Sequence, residues 1–215
     1  MTAPTPLDRA AARAATYTLL AALFDRPLDA AGLAALRKDE MRAGLEAAGV
    51  TLPADFASAD ATALRERLSI EFSHIFVSPL GKILPTEGLM LAHEEDLSGE
   101  RSCEVTRFMG QVGYRLPPES GMIADHLAVE LSFAANLAWR EAEAEEAGDS
   151  ATVDRARAIR LDFLNDHLGR WAEIAARRIA ERDEGTFYGE MARFMADFVA
   201  EDANDLTSGW AEAAE

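Results

Sequence analysis

Apolar residues recur every three or four positions along most of the 215-residue chain, which is the spacing of amphipathic α-helices rather than of β-strands. The stripe nearest the amino terminus consists of Leu7, Ala11, Ala14, Tyr17, Leu20 and Phe24. Later stripes consist of Leu64, Leu68, Phe72 and Ile75, and of Val105, Phe108, Met109 and Val112. Alanine, a strong helix former, accounts for about a fifth of the chain, whereas β-branched residues are sparse. The pattern therefore predicts an all-α fold.

Proline residues separate the helical patterns, because proline lacks an amide donor and disfavours helix in the residue before it. They occur at positions 4, 6, 27, 53, 79, 85, 117 and 118. Between these breaks the periodicity predicts helices over residues 7–24, 29–47, 58–76, 100–112, 122–147, 150–182 and 186–202. Only "AGDS" and "RDEGT" separate the last three, and such short connections are typical of antiparallel neighbours in a helical bundle.

Residues 1–215 are expected to form one domain, since a chain of this length with 49% apolar residues can bury a single core. The ends, about 1–6 and 204–215, are expected to be flexible tails. Residues 113–121, "GYRLPPESG", are a possible hinge, which leaves open whether the protein is a monomer or a domain-swapped dimer. We therefore predict a single-domain, all-α helical bundle.

The chain has a formal charge of −17 and an isoelectric point near 4.6. This charge argues against nucleic-acid binding and against stable association with an anionic membrane, since both require a basic surface. Cys103 is the only cysteine, which excludes an intramolecular disulfide and fits a reducing compartment. The sequence thus indicates a cytoplasmic protein whose acidic surface keeps it soluble or receives a basic partner.

Two short motifs resemble cofactor sites, and both are incomplete. Glu71 and His74 have the Glu-x-x-His spacing of one half of a di-metal bundle site, but the sequence has no second unit. Gly81 and Lys82 lack the earlier glycine and the following hydroxyl residue of a phosphate-binding Walker loop. No Gly-x-Ser-x-Gly nucleophile motif occurs either. We therefore expect a protein that is not an enzyme, without catalytic residues, bound metal or cofactor.

The segment that opens the helix predicted over 122–147 carries a distinctive set of polar residues. Asp125 and His126 fall in its first turn, and His126 and Glu130 lie one turn apart on one face. One interpretation is that Asp125 only stabilises the helix start through the helix dipole. The other is that Asp125, His126 and the loop 79–87 border one groove, where acidic groups meet a basic peptide.

Three segments, in this order along the chain, resemble those of the TorD/DmsD/NarJ family of redox-enzyme maturation chaperones. "EFSHIFVSPLGKILPTEG" (71–88) resembles the family's acidic-aromatic helix end and proline-rich loop. "DHLAVEL" (125–131) is similar to an Asp-His-Leu/Ile-Ala segment that opens a helix in that family. "FLNDHLGRWAEIAARRI" and "TFYGEMARFMADFV", within 163–199, are similar to its last two helices. The resemblance covers most of the chain after Leu64.

The resemblance implies a TorD-like bundle and a cytoplasmic chaperone for the apo catalytic subunit of a molybdenum oxidoreductase. Such a chaperone binds its client, often through the client's twin-arginine leader peptide. It assists insertion of the molybdopterin cofactor and delays export until the client has folded. A leader with paired arginines and an apolar segment fits a groove with a carboxylate edge and an apolar floor.

The residues expected to bind the client or its leader are Phe72, Phe76, Pro79, Leu84, Pro85, Glu87, Met90, Asp125, His126 and Glu130. Glu87, displayed by the loop, and Asp125 are the candidates for the acidic edge. The apolar members provide the floor, although Phe72 fits the protein core equally well. His126 is expected to hydrogen-bond the peptide or to position Asp125.

Two other functions stay open. The chain could hold a client that lacks a leader, as the nitrate-reductase branch of the family does, and it would then bind the apo subunit but not an excised leader. A metal- or nucleotide-dependent helical-bundle enzyme is the alternative from another class of protein.

Overall fold

We describe the fold from a computed structural model, which covers residues 4–79, 81–91, 99–117, 121–182 and 185–213, without the side chains of 210–213. The α-helices in these ranges are α1 Pro6–Asp25, α2 Ala30–Leu36, α3 Asp39–Ala47, α4 Ala61–Phe76, α5 Glu87–Leu91, α6 Glu100–Gln111, α7 Leu127–Ala147, α8 Ser150–Phe163, α9 Gly169–Arg182 and α10 Phe187–Ala213. A π-helical turn, Leu164–Leu168, joins α8 to α9. None of the described helices is long and apolar enough to cross a membrane. The predicted all-α fold is confirmed.

Two of the predicted helices are interrupted. The helix expected over 150–182 contains the π-turn, and the helix expected over 29–47 is divided into α2 and α3. At the division, Lys38 has an extended backbone, and the guanidinium of Arg37 donates hydrogen bonds to the carbonyls of Ala57 and Ala59. These bonds to a segment about 20 residues away hold the break in place, and the local periodicity does not indicate them.

The last helix is longer than the sequence predicts. α10 continues to Ala213, so residues 204–213, which the sequence assigned to a tail, are helical, and the flexibility of this end stays a prediction. Its extra turns bury Leu206 against the protein, and this burial stabilises a segment whose composition looked polar. Residues 118–120, the middle of the possible hinge, lie outside the described residues.

Side-chain caps fix several helix starts. Asp29, Asp60 and Asp149 each accept a hydrogen bond from an amide in the first turn of α2, α4 and α8. An N-cap of this kind stabilises a helix by about 0.5–2 kcal/mol. α7 begins at Leu127, five residues later than predicted, because His126 is its N-cap. The extended backbone at His126 leaves the residues before α7 free to pair with the start of α5.

The chain passes four times between two compact units. The first unit consists of Met1–Asp25, Thr86–Trp171 and Val199–Glu215, and the second of Arg26–Pro85 and Ala172–Phe198. Neither unit is a continuous stretch of sequence. The single domain that the sequence predicts therefore stays a prediction, and the two units are described separately.

In the first unit, α1 packs along α7, and α7 packs along α8. Small residues such as Ala14 of α1 and Ala138 of α7 are fully buried, which allows close approach of the helix backbones. An aromatic cluster lies beside them. The ring of Phe133 is 4.7 Å from that of Phe163 and 6.1 Å from that of Phe108. These contacts make one continuous apolar core in this unit.

Arg160 is a fully buried cation in this core. Its Nη1 donates to Glu141 Oε2 at 2.6 Å, and its Nε donates to Asp202 Oδ2 at 3.0 Å. Asp202 also accepts a hydrogen bond from the Tyr17 hydroxyl at 2.8 Å and pairs with Arg13 at 2.6 Å. The network therefore ties α1, α7, α8 and α10 together at one buried point.

Burial alone would lower the pKa of Arg160 and raise that of Glu141, because it disfavours both charged forms. The mutual attraction outweighs burial in both cases. Asp202 and Glu141 raise the pKa of Arg160, while Arg160 and Arg157 lower the pKa of Glu141. The buried charges are thus compensated by one another.

Aromatic side chains form the core of the second unit. Phe187 stacks on Phe56 with ring centroids 5.5 Å apart, and Tyr188 packs edge-on against Phe72 at 5.5 Å. Burial raises the pKa of Tyr188 to about 12, which keeps its hydroxyl neutral. Phe72 is accordingly a core residue of this unit, one of the two roles that the sequence left open.

Replacing Arg160 with methionine is expected to lower the free energy of unfolding by about 3–5 kcal/mol, because Glu141 and Asp202 would be left buried beside a neutral side chain. Arg101→Met in the same unit is the control. Arg101 pairs with Glu104 at a partly exposed site, so its loss should cost at most about 1 kcal/mol. Urea denaturation measures both variants, and equal losses would contradict the assigned role of Arg160.

Candidate functional site

Two segments that are distant in sequence meet where α5 and α7 begin. Thr86 and His126 form an antiparallel bridge. The amide of Glu87 donates to the carbonyl of Asp125 at 2.9 Å, and the amide of Gly88 donates to Asp125 Oδ2 at 3.2 Å. Asp125 therefore fixes the turn that begins α5, and the structure brings together the two acidic residues that the sequence singled out.

Glu87 is buried, with none of its surface exposed. The expectation that a loop displays Glu87 is wrong, because this residue begins α5 and its side chain points into the first unit. There Nδ1 of His167 lies 3.0 Å from Oε2 of Glu87. His167 is itself buried. The acidic edge predicted from the sequence is thus an interior feature.

Glu130 is a third buried acid close to this pair. Nε1 of Trp171 donates to its Oε2 at 3.1 Å. Burial raises the pKa of Glu130 well above its ordinary value, the charge of Glu87 and then that of Asp125 raise it further, and the bond from Trp171 opposes the shift. The surroundings of Glu130 therefore favour its protonated, neutral form.

Glu87, Asp125 and Glu130 together form an acid cluster, and each of the three carboxyl groups has one oxygen without a described hydrogen-bond partner. Oε1 of Glu87, Oδ1 of Asp125 and Oε1 of Glu130 are buried and make no hydrogen bond to any residue that the structure describes. Buried polar atoms are almost always hydrogen-bonded, because leaving one unpaired costs about 1–3 kcal/mol. The cluster consequently has capacity to accept hydrogen bonds from a donor outside the described chain.

His126 lies next to the acid cluster and is the N-cap of α7. Its Nδ1 accepts a hydrogen bond from the amide of Ala128 at 3.2 Å. Burial lowers the pKa of His126, and the charges of Asp25 and Asp125 oppose this shift without reversing it. His126 is therefore neutral near pH 7, and its Nε2 is the ring atom that can carry the proton.

The two units divide the ten residues predicted to bind a client. The first unit holds Glu87, Met90, Asp125, His126 and Glu130, and the second holds Phe72, Phe76, Pro79, Leu84 and Pro85. Met90 and Pro85 are buried, Leu84 is half-buried and Pro79 is exposed. The structure joins the polar members through the contacts given above, and the role of the apolar members in binding stays a prediction.

His167 and Trp171 were not predicted as site residues, although both lie in a segment that carries the family resemblance. Each holds one carboxyl group of the acid cluster. They are four residues apart, so a helical pattern places them on one face. That spacing was the available signal. The spacing did not reveal their contacts, because His167 contacts a residue 80 positions earlier and Trp171 one about 40 positions earlier.

Within the described ranges, no three His, Cys, Asp or Glu side chains are arranged so that they could hold a metal ion. His74, from the incomplete Glu-x-x-His motif, is exposed on α4.

Comparison with known proteins places the whole acid cluster within a family match. A family model described as nitrate reductase delta subunit matches residues 38–177, which include Glu87, Asp125, Glu130, His167 and Trp171.

Several curated relatives bear the name "Chaperone protein TorD". The protein from Shewanella piezotolerans is 25% identical over 214 residues, which cover 92% of this chain and 93% of the relative. The one from Shewanella pealeana is 26% identical over 220 residues, with 94% and 92% covered. The one from Vibrio vulnificus is 27% identical over 205 residues, with 90% and 94% covered.

The relatives are named as chaperones and not as enzymes, which agrees with the non-enzymatic protein expected from the sequence. The family match covers well over half of the chain. The resemblance noted in the sequence is therefore confirmed, and the chain belongs to the nitrate reductase delta subunit family, that of the TorD and NarJ chaperones.

Proposed function

We propose that this chain is a cytoplasmic chaperone that binds the apo catalytic subunit of a molybdenum oxidoreductase through the subunit's twin-arginine leader. In this role it assists insertion of the molybdopterin cofactor and delays export until the client has folded. Family membership supports the chaperone role, and the acid cluster supports a cationic segment as the bound part of the client.

The observation that carries the proposal is the set of unpaired oxygens on Glu87, Asp125 and Glu130. An arginine guanidinium has five N–H donors in a planar fork and stays charged at every relevant pH. Hydrogen bonds between such a cation and a carboxylate are about twice as strong as neutral ones. A client arginine would thus supply the donors and the positive charge that the described part of the chain does not.

The charges of the cluster favour a segment with more than one cation. Glu87, Asp125 and Glu130 bring three acidic side chains together, and burial with the charges of Glu87 and Asp125 raises the pKa of Glu130. His167 contacts one of them, through a single ring nitrogen. Paired arginines therefore match the cluster better than a single lysine, which carries its charge at one point and lacks the planar fork.

The remaining expectations about partners belong to this proposal. The apolar segment of the leader is expected to contact the apolar residues that the sequence predicts for the floor of the site. We expect no nucleic-acid partner and no stable membrane association. We expect the protein to be a monomer or a domain-swapped dimer.

Asp125→Asn is expected to weaken binding of the leader peptide by about tenfold or more, because the variant loses a charge that hydrogen-bonds to the client. Asparagine keeps an oxygen that can accept from the amide of Gly88, so the turn at α5 should persist. The probe is a synthetic peptide with the sequence of a twin-arginine leader of a molybdoenzyme catalytic subunit, and isothermal titration calorimetry gives the affinity.

Asp154→Asn is the matched control, since Asp154 is an exposed acid on α8. It should bind the leader as the unmodified chain does. A second peptide, with lysine in place of both arginines, should bind more weakly than the natural leader. Equal affinities of the Asp125 variant and the unmodified chain would contradict the proposed site.

A client that is recognised without a leader is the second candidate function. The observation that favours it is the description of the matching family model, nitrate reductase delta subunit. Under this function, the chain binds the leaderless apo subunit as tightly as the full-length one and does not bind the excised leader. Under the leader-binding function, removal of the leader weakens binding and the excised peptide competes for the site. Co-purification of both client forms with the chain distinguishes the two.

Glu130→Gln is expected to change how stability depends on pH. The folded state holds the proton of Glu130 more tightly than the unfolded state does, because its pKa is raised from the ordinary value of 4.5. This group favours folding at low pH, and the contribution is lost as the pH rises through the raised pKa. Glutamine is neutral throughout, so the variant should gain stability relative to the unmodified chain as the pH rises from 4.5 upward. Urea denaturation across this range measures the difference, and parallel pH profiles would contradict the raised pKa of Glu130.

A further inference from the structure

The π-turn between α8 and α9 depends on the absence of a side chain at Gly169. The amide of Gly169 donates to the carbonyl of Leu164, five residues earlier, which is the π-helical hydrogen-bond pattern. A Cβ atom at Gly169 would lie 2.5 Å from that carbonyl oxygen. Any other residue would therefore force the turn to shift. π-turns are rare and occur often at functional sites, so the residues in this one are candidates for a specific role.

His167 lies within the π-turn, and its ring is held from two sides. The ring centroid is 5.4 Å from that of Phe163 and 5.5 Å from that of Phe108, which meets it edge-on. These contacts fix the plane of the imidazole. They direct Nδ1 toward Oε2 of Glu87, at 3.0 Å. Because a carboxylate can only accept a hydrogen bond, Nδ1 carries the proton and donates it.

Glu87 is fixed at its backbone by Asp125 and at one carboxylate oxygen by His167. The other oxygen, Oε1, is buried and makes no hydrogen bond to a described residue. A histidine can hold a carboxylate by a single N–H bond, whereas lysine or arginine at this place would add a permanent charge that cancels the carboxylate. The residue type at 167 therefore suits a carboxylate that must remain able to attract a second partner.

We propose that His167, directed by the π-turn at Leu164–Leu168, is the positioning residue of the client site, holding Oε2 of Glu87 so that Oε1 receives the client's guanidinium. This inference rests on the proposed function, since it assigns a further residue to the same site. Gly169 acts through His167, because it permits the turn that places the ring.

The test compares two substitutions of His167 by the affinity of the twin-arginine leader peptide. His167→Leu removes the donor to Glu87 and should weaken binding by about tenfold. His167→Asn keeps an amide N–H close to the position of Nδ1 and should recover most of the affinity. Gly169→Ala should weaken binding to the same extent as His167→Leu, because it displaces the turn that holds the ring.

Tyr17→Phe is the matched control for a general loss of stability. It removes another buried hydrogen bond to a carboxylate in the first unit, the bond from Tyr17 to Asp202. It should lower the thermal midpoint as the His167 variants do while leaving the leader affinity unchanged. Circular dichroism confirms that each variant is folded before its affinity is measured.

A double-mutant cycle separates positioning from a merely structural role. If His167 acts through Glu87, then the double variant Glu87→Gln, His167→Leu binds the leader no more weakly than Glu87→Gln alone. Additive losses would overturn the inference, and so would an Asn variant that binds no better than the Leu variant. If the unmodified chain binds no leader, the proposed function fails together with this inference. If it binds the leader and His167→Leu binds equally well, only this inference fails.

Discussion

The buried guanidinium of Arg160 is the constraint on which the first unit depends. It lies between Glu141 of α7 and Asp202 of α10. Asp202 in turn accepts a hydrogen bond from Tyr17 and pairs with Arg13, both of α1. Asp202 contacts Arg160, Tyr17 and Arg13 at once, so a shift of α1, α8 or α10 against the others would break a buried polar contact. A buried charge that loses its partner costs several kcal/mol, whereas the intact network adds little net stability over an apolar core. Its main effect is therefore on how α1, α7, α8 and α10 pack, and α7 also carries Glu130 of the acid cluster.

α7 carries two buried glutamates whose pKa values are shifted in opposite directions. Glu141 lies beside Arg160, and its pKa is lowered, whereas Glu130 lies beside Glu87 and Asp125, and its pKa is raised well above the ordinary value. The two are 11 residues, or about 16 Å, apart along one helix. At the Glu141 end the chain supplies its own cations. At the Glu130 end, the hydrogen bonds to the carboxylates come from a histidine, an indole and a backbone amide, and this imbalance supports the proposed binding site.

The sequence predicted the helical elements well because their signals are local. Asp60 and Asp149 begin helices as caps, and proline and glycine end them. It also singled out Asp125 and the segment around Glu87, which the structure joins by backbone hydrogen bonds. The burial of Glu87 could not be read from its neighbours in sequence, since it depends on His167, 80 residues away. The π-turn and the extension of α10 escaped prediction for the same reason, because both follow from contacts made only after folding.

A site formed by buried carboxylates has a physical advantage for a protein that must release its client. A guanidinium entering the cluster gains strong hydrogen bonds in a low-dielectric surrounding, but it also loses its hydration, and the two effects largely offset each other. Affinity would then stay moderate and discrimination high, since a segment without cations would give up its own hydration and leave the buried carboxylate oxygens unpaired. An exposed acidic patch on a chain of charge −17 would attract any basic peptide and would weaken steeply with salt. In the proposed site, burial of Glu87, Asp125 and Glu130 would thus shift recognition from net charge to the geometry of the donor, the property in which paired arginines differ most from other basic sequences.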